Sequence, residues 1–367
     1  MPFAMTPQSS THDHASNPVD QLAVQVGREW VNLVQARRRT REQLDHLRQD
    51  LDGLDNLDSS IVVFGSLARD EATHASDIDW TLLIDGKADP QHVRMAQEIR
   101  RKISADRKPG REGTFGKLAF SHEIVNCIGG EDDSNANTTR RILLLLESKP
   151  IRSVEAWKNV QKNILRRYIE EDYGLRSPSN KRGVPLFLLN DIARYWRTMV
   201  VDFAYKQRER ENEGYALRSL KLGLSRKLIY ASGILACFMC ELNFPDKKLF
   251  QNDHPQSAVD YLHTTFNASP LEIIANSLSG YEILLTPAKR LFDAYDSFLG
   301  LMCDDASRAN GKNWREHIES LSVAEIETDP LFQEARSIRN EFGEALKDIF
   351  LKTSSPIQNL MIERGIF

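Results

Sequence analysis

Two acidic residues with one residue between them, Asp77 and Asp79, follow a glycine-serine pair, Gly65-Ser66, in the stretch IVVFGSLARDEATHASDIDWTLL at 61–83. Each half offers chemistry. In an extended chain, side chains at i and i+2 share a face, so Asp77 and Asp79 point the same way and Ile78 turns into the core. Two carboxylates side by side repel unless a cation lies between them. Hard oxygen ligands of this kind suit Mg²⁺ (or Mn²⁺), whose shell is completed by phosphate oxygens and water. Gly65 allows a sharp turn and a close approach of backbone to a ligand. Ser66 reads as the N-cap of a helix over Leu67 to Ala72, and a helix start directs N–H groups and positive partial charge at an anion. The stretch thus offers a triphosphate cradle at one strand end and a metal-binding acid pair at the next. An Asx-rich turn joining two strands is the plainer reading of the same residues.

The elements that must position these residues are legible nearby. Ile61 to Phe64 is apolar and rich in β-branched side chains, which predicts a buried strand; Trp80 to Ile84 predicts its neighbour. Residues 20–52 predict one long helix ahead of the first strand, and 89–106 an amphipathic helix with Val93, Ala96, Ile99 and Ile103 on one face. A third strand is expected over 114–121, and 138–148 is helical or extended. Beyond 155 strand character is slight, and helices are expected at 155–171, 185–211, 215–242, 256–266, 270–279, 287–304, 312–321 and 331–352. The expected fold class is α+β: an N-terminal mixed sheet with helices, then an all-α C-terminal domain. The expected division is a disordered tail at 1–18, a sheet domain with its leading helix at 19–152, and a helical domain at 153–367 that completes the cleft.

The order strand, Gly65-Ser66, ten residues, Asp77-Ile78-Asp79, strand resembles the signature of the DNA polymerase β-type nucleotidyltransferase superfamily. The fuller string GSLARDEATHASDID resembles most nearly the bacterial regulatory uridylyl- and adenylyltransferases of nitrogen signalling. The resemblance implies a polymerase β-like sheet and transfer of an NMP from an NTP to a hydroxyl acceptor, with release of pyrophosphate. It implies Asp77 and Asp79 as ligands of Mg²⁺ and as catalytic residues, and a third carboxylate as base. Asp133 and Glu147 are equal candidates for that base, with Glu123 a third. Gly65, Ser66 and Arg69 would contact the nucleotide from the turn; a surface salt bridge with Asp70 or Glu71 is an equal reading of Arg69. Arg218, Lys221, Ser225 and Lys227, spaced along one helix, would form a basic wall facing it; internal pairing with Asp191 and Asp202 is the competing use of these cations. The acceptor stays open between a protein hydroxyl, a tRNA end, a small molecule and a second nucleotide. Two alternatives stand beside this reading: a catalytically silent nucleotide-binding module of regulatory or antitoxin-like type, and a cyclic-dinucleotide synthase. The synthase string usually continues to Gly-Thr, where this chain has Arg69, Asp70 and Glu71.

Composition sets outer limits. The 367 residues carry net charge −4, with 41% hydrophobic and 27% charged residues, as ordinary globular domains do. There is no global basic field for nucleic acid, so such a partner would need a local patch. No apolar run approaches the ~20 residues of a membrane span, and the first residues lack the apolar core of a signal peptide. Four scattered cysteines suit a reducing cytoplasm. Cys237 and Cys240 sit in an apolar helical pattern that reads as core rather than as a zinc or redox site. His12 and His14 fall in the polar tail.

Overall fold

The computed structural model describes residues 17–366 except 75, 104–106, 108, 110–114, 177–182, 210–212, 245–248, 251–255 and 304–310. The tail expected at 1–18 therefore lies outside the described residues up to 16, while Asn17 caps the first helix and Pro18 opens it. The single long helix expected at 20–52 is two, α1 (Pro18–Val26) and α2 (Val31–Asp50). Gly27 separates them in a left-handed cap at φ 63°, its N–H bonding the Ala23 and Val24 carbonyls.

The sheet has four strands: β1 (Ser59–Phe64), β2 (Trp80–Ile84), β3 (Lys117–Phe120) and β4 (Ser148–Pro150), in the order β3-β2-β1-β4. β1 is central and runs antiparallel to both β2 and β4, while β2 and β3 are parallel. Every side chain of β1 is buried, because the strand separates two cores. Ile61 and Val63 face Leu44 and Leu47 of α2, Trp80, and Ile99 of α3 (Pro90–Lys102). Val62 and Phe64 face the larger core beneath α5 (Asn135–Leu146) and the helices that follow it. Period-2 alternation with both faces covered is what a continuous apolar run demands. The short helix α4 (Ser121–Asn126) follows β3 directly. The segment expected as helical or extended at 138–148 is α5 up to Leu146, then β4 from Ser148, with Glu147 at the switch.

The second half is helical throughout the described residues. It comprises α6 (Glu155–Glu171), α7 (Tyr173–Arg176), α8 (Leu186–Glu209), α9 (Tyr215–Lys221), α10 (Lys227–Leu242), α11 (Gln256–Phe266), α12 (Pro270–Ser279), α13 (Leu285–Met302), α14 (Trp314–Ser320), α15 (Val323–Ile326), α16 (Pro330–Lys347) and α17 (Pro356–Leu360). A π-turn, Leu222–Arg226, joins α9 to α10. α10 is apolar on all sides and sits at the centre of the bundle. The run Tyr215–Leu242 is long and apolar enough to cross a membrane by length and composition, yet 72% of that window is buried inside the fold. Cys237 and Cys240 are free and buried there, and burial pushes both thiols up.

The leading helices serve both halves. Trp30 stacks on Phe292 of α13 at 4.7 Å and its indole N–H donates to Asp293 at 2.9 Å. The Leu33 N–H donates to Asp296 at 2.9 Å. The far end of α2, through Leu44 and Leu47, supports the sheet. One helix thus packs against both the sheet and the helical half.

Candidate active site

At the end of β1 the chain turns at Gly65, φ 68°, and coils through residues 65–70 without forming a helix. The Arg69 N–H donates to the Gly65 carbonyl at 3.1 Å and the Glu71 N–H to the Ser66 carbonyl at 2.8 Å. The expected helix over Leu67 to Ala72, capped by Ser66, is therefore corrected to a run of turns. Its cause is left-handed backbone at both ends, at Gly65 and at Asp70, φ 63°, which stops helical propagation. Asp tolerates that conformation better than most residues, and the Asp70 carboxylate is held by Lys149 at 2.6 Å.

Strand pairing brings the acids to this turn. Val63 pairs with Trp80, and the Phe64 N–H donates to the Asp79 carbonyl at 2.9 Å. Asp77 and Asp79 lie just before β2, with Ile78 buried between them and Asp77 exposed. On the other side of β1, Phe64 pairs with Ser148, so Glu147 arrives at the same strand end. A Cβ on Gly65 would stand 3.2 Å from Asp79 Oδ2 and 3.8 Å from Glu147 Oε1. Only glycine leaves the space between these two carboxylates open.

The electrostatics are those of crowded acids answered by buried cations. Burial pushes Asp79 up to about 6; Arg226 works against this, and the Glu147 and Asp77 carboxylates add to it. Glu147 is 2% exposed and accepts from Arg69 Nη1 at 2.7 Å. Arg226 Nη1 stands 3.4 Å from both its oxygens. Arg69 also binds Glu71 through Nε at 2.8 Å. Burial alone would lower the Arg69 guanidinium, but Glu71 and Glu147 hold it raised. Glu71 in turn accepts from the Tyr295 hydroxyl of α13 at 2.8 Å, and that hydroxyl lies 3.2 Å from Ser225 Oγ. A continuous polar network thus ties the turn, the start of β4 and the helical half together.

The helical wall of the cleft comes from the junction of α9 and α10. Lys221, Ser225 and Arg226 line it opposite Gly65, Ser66, Asp77 and Asp79. Lys221 and Arg226 are five residues apart, a spacing that shares a face only in a π-turn, a device common at functional sites. Burial, with Arg315 as the next cause, pushes the Lys221 amine down to about 8. Phe298 and Met302 of α13 and Arg315 of α14 close the rim.

The structure therefore brings together Gly65, Ser66, Arg69, Asp77, Asp79, Lys221 and Ser225 around one cleft, with Glu147 directly behind. Other expected residues lie elsewhere. Asp133 is not in the cleft; burial works to raise it, but Arg141 at 2.9 Å and Arg194 at 3.3 Å hold it below the usual carboxylate range. Glu123 is on α4 at 3.7 Å from Arg140. The Arg218 guanidinium donates to the carbonyls of Glu213 and Gly214 and lines an outer groove. Lys227 turns toward α16, its Nζ beside Gly343. Asp191 pairs with Arg141 and Asp202 with Lys206, so neither takes up the basic residues of 218–227. Arg226 falls within the basic run 218–227 but is not singled out by the sequence, Glu71 reads there only as a salt-bridge partner of Arg69, and Tyr295 was not expected. Regular 3.6-residue spacing from Lys221 passes over Arg226, and only the π-turn turns it inward.

Among the described residues, no three His, Cys, Asp or Glu side chains form a ready cage for a metal ion. No curated protein and no solved structure matches the chain. Residues 42–110, from the middle of α2 past α3, match the family model of the nucleotidyltransferase domain. That span contains Gly65, Ser66, Asp77 and Asp79, so the turn and the acid pair both lie in the part of the chain that is similar to the nucleotidyltransferase domain.

Proposed function

We propose that the protein is a metal-dependent nucleotidyltransferase that moves an NMP from an NTP to a hydroxyl acceptor. One observation carries the reading: the glycine-serine turn, the acid pair and the Lys221/Arg226 wall meet in one cleft within and beside the matched domain. The string GSLARDEATHASDID favours a branch near the regulatory uridylyl- and adenylyltransferases.

The cleft residues fit a divalent cation. Asp79 is half-buried and is raised first by burial and then, against Arg226, by Glu147 and Asp77; a cation at its carboxylate relieves both effects, and Gly65 leaves room at its Oδ2. Asp77 and Asp79 would hold Mg²⁺ or Mn²⁺, with phosphate oxygens and water completing the shell. Such an ion, when bound, lowers the pKa of the acceptor hydroxyl and neutralises charge on the entering and leaving oxygens.

The chain's own groups do the rest. The open backbone at Gly65-Ser66 admits phosphate, and Lys221 and Arg226 neutralise the departing pyrophosphate. The acceptor oxygen bonds to the α-phosphorus as the bond to the oxygen bridging to the β-phosphorus breaks, and pyrophosphate leaves with that electron pair. The hydroxyl proton goes to Glu147. In the free protein Glu147 is masked by two guanidiniums, but its contact with Arg226 is loose at 3.4 Å. A triphosphate draws Arg226 away and frees an oxygen of Glu147, while Arg69 keeps the other in place. Catalysis here is positioning and electrostatics.

The same masking of Glu147 favours a second reading, a nucleotide-binding module without turnover. Incubation with α-labelled NTPs, Mg²⁺ and cell extract separates the two. The enzyme releases pyrophosphate and passes label to an acceptor, and Asp79→Asn stops both. Bound NTP with no pyrophosphate would leave the silent module standing.

A further inference from the structure

The acid cleft is tight. Its space is about 110 Å³, room for a cation and phosphate groups but not for a nucleoside and an acceptor as well. Both must therefore lie outside it, and Lys221 and Arg226 open onto a second chamber of about 850 Å³. This chamber is lined by Lys117 of β3, Arg140 of α5, Lys206 of α8 and Arg218 of α9, besides Lys221 and Arg226. Its acids are Asp202, taken by Lys206, and Glu209. The chamber adjoins a third of about 900 Å³, with which it shares Asn135, Thr198 and Asp202 in its lining and to which Arg194, Arg197 and Arg364 contribute. Each chamber alone is at the upper end of what one small ligand fills.

The groove follows α8. Arg194, Arg197, Val201 and Tyr205 recur along the helix at spacings of three and four, so they share a face. From Arg194 to Tyr205 this face is roughly 17 Å long at the helical rise. Tyr205 is 65% exposed and Val201 68%, beside the cations. Exposed aromatic and apolar groups interleaved with basic side chains are what a single nucleic-acid strand uses, stacking for the bases and charge for the backbone. A chain of net charge −4 concentrates this basic tract beside its acid pair, so the patch is local.

We infer that the acceptor is the hydroxyl end of a single-stranded polynucleotide whose backbone lies in the groove along α8. This rests on the nucleotidyltransferase reading. The strand's terminal hydroxyl enters past Lys221 and Arg226, bonds to the α-phosphorus of the NTP as above, and the strand grows by one nucleotide.

The test measures binding of 5′-labelled single-stranded RNA and DNA 20-mers to the full chain at two salt concentrations, with NTP binding measured in parallel. The variants are Arg140→Glu with Arg197→Glu, and Arg140→Gln with Arg197→Gln. Binding that weakens with salt, and falls on the order of tenfold in the charge-reversed variant with a smaller loss in the neutral one, supports the inference when NTP affinity is kept. The better-bound strand identifies RNA or DNA as the source. NTP bound normally with neither strand bound overturns the polynucleotide acceptor and leaves the transferase reading intact, with a protein or a small molecule as acceptor. Mononucleotides displacing both strands at equal concentration of nucleotide units would likewise overturn it. Failure of the wild type to bind NTP would remove the transferase reading itself.

Discussion

Arg226 of the helical half stands 3.4 Å from both carboxylate oxygens of Glu147, at the sheet's edge beside Asp79. The contact crosses the cleft and sits where an incoming phosphate would compete for the guanidinium. Removing it should therefore be felt in nucleotide affinity first. Arg226→Ala should weaken NTP binding by about 1–3 kcal/mol, the range of a charge-assisted bond. Arg226→Lys should recover part of the affinity but not the two-oxygen contact to Glu147. Calorimetric titration checks this; unchanged affinity in Arg226→Ala would remove Arg226 from the phosphate site.

Gly65→Ala should damage fold and site together. The backbone there is left-handed at φ 68°, which costs a side-chain-bearing residue about 1–2 kcal/mol. The new methyl would also press on Asp79 Oδ2 at 3.2 Å. A lowered melting temperature and loss of metal-dependent nucleotide binding are expected. Gly27→Ala is the control: it shares the strained φ but has nothing within 4 Å, so it should lower the melting temperature alone.

Asp79 should make the metal-free protein less stable as pH rises. Its carboxyl is pushed from 3.8 to about 6, first by burial and then by its acid neighbours, so the folded state holds the proton more tightly than the unfolded. The stability associated with that proton is present below pH about 4, fades between 4 and 6, and is absent above. Asp79→Asn should thus melt higher than wild type at pH 8 in chelator, and the gap should close by pH 4. A variant no more stable than wild type at pH 8 would contradict the strained acid pair.

Lys221 gives the opposite limb. Burial and Arg315 lower its amine to about 8, so much of it is neutral in the free protein at pH 9. A triphosphate favours the charged form, so binding should take up a proton above pH 8 and affinity should fall as pH rises from 7 to 9.5. Titrations in two buffers of different ionisation enthalpy measure the uptake. Lys221→Met should bind more weakly and lose the pH dependence; a flat wild-type profile would place Lys221 away from the phosphates.

Much of this was written in local sequence. The apolar run Ile61 to Phe64, the glycine-serine break and the alternation Asp77-Ile78-Asp79 each follow from short-range rules, and the strand pairing that joins them is antiparallel and near in sequence. Helices such as α11 and α12 were equally plain, because their periodicity is complete within a few turns. What escaped was set by distant contacts. Gly27 could as well have continued a helix as ended one. β4 is three residues long and has strand character only because it pairs with β1, from which β2, α3, β3, α4 and α5 separate it in sequence. Which of Asp133 and Glu147 lies beside Gly65 depended on that pairing, and the inward face of Arg226 on a π-turn that regular periodicity does not register.

In the proposed function Asp77 and Asp79 hold the cation that carries the triphosphate at Gly65-Ser66. Titrating NTP into the protein with and without Mg²⁺ tests it directly, in wild type and in the Asp77→Asn, Asp79→Asn double variant. Mg²⁺ should tighten binding to the wild type by at least about tenfold, roughly 1.4 kcal/mol, and the double variant should keep its fold but lose this gain. An equal Mg²⁺-dependent gain in the folded double variant would contradict it.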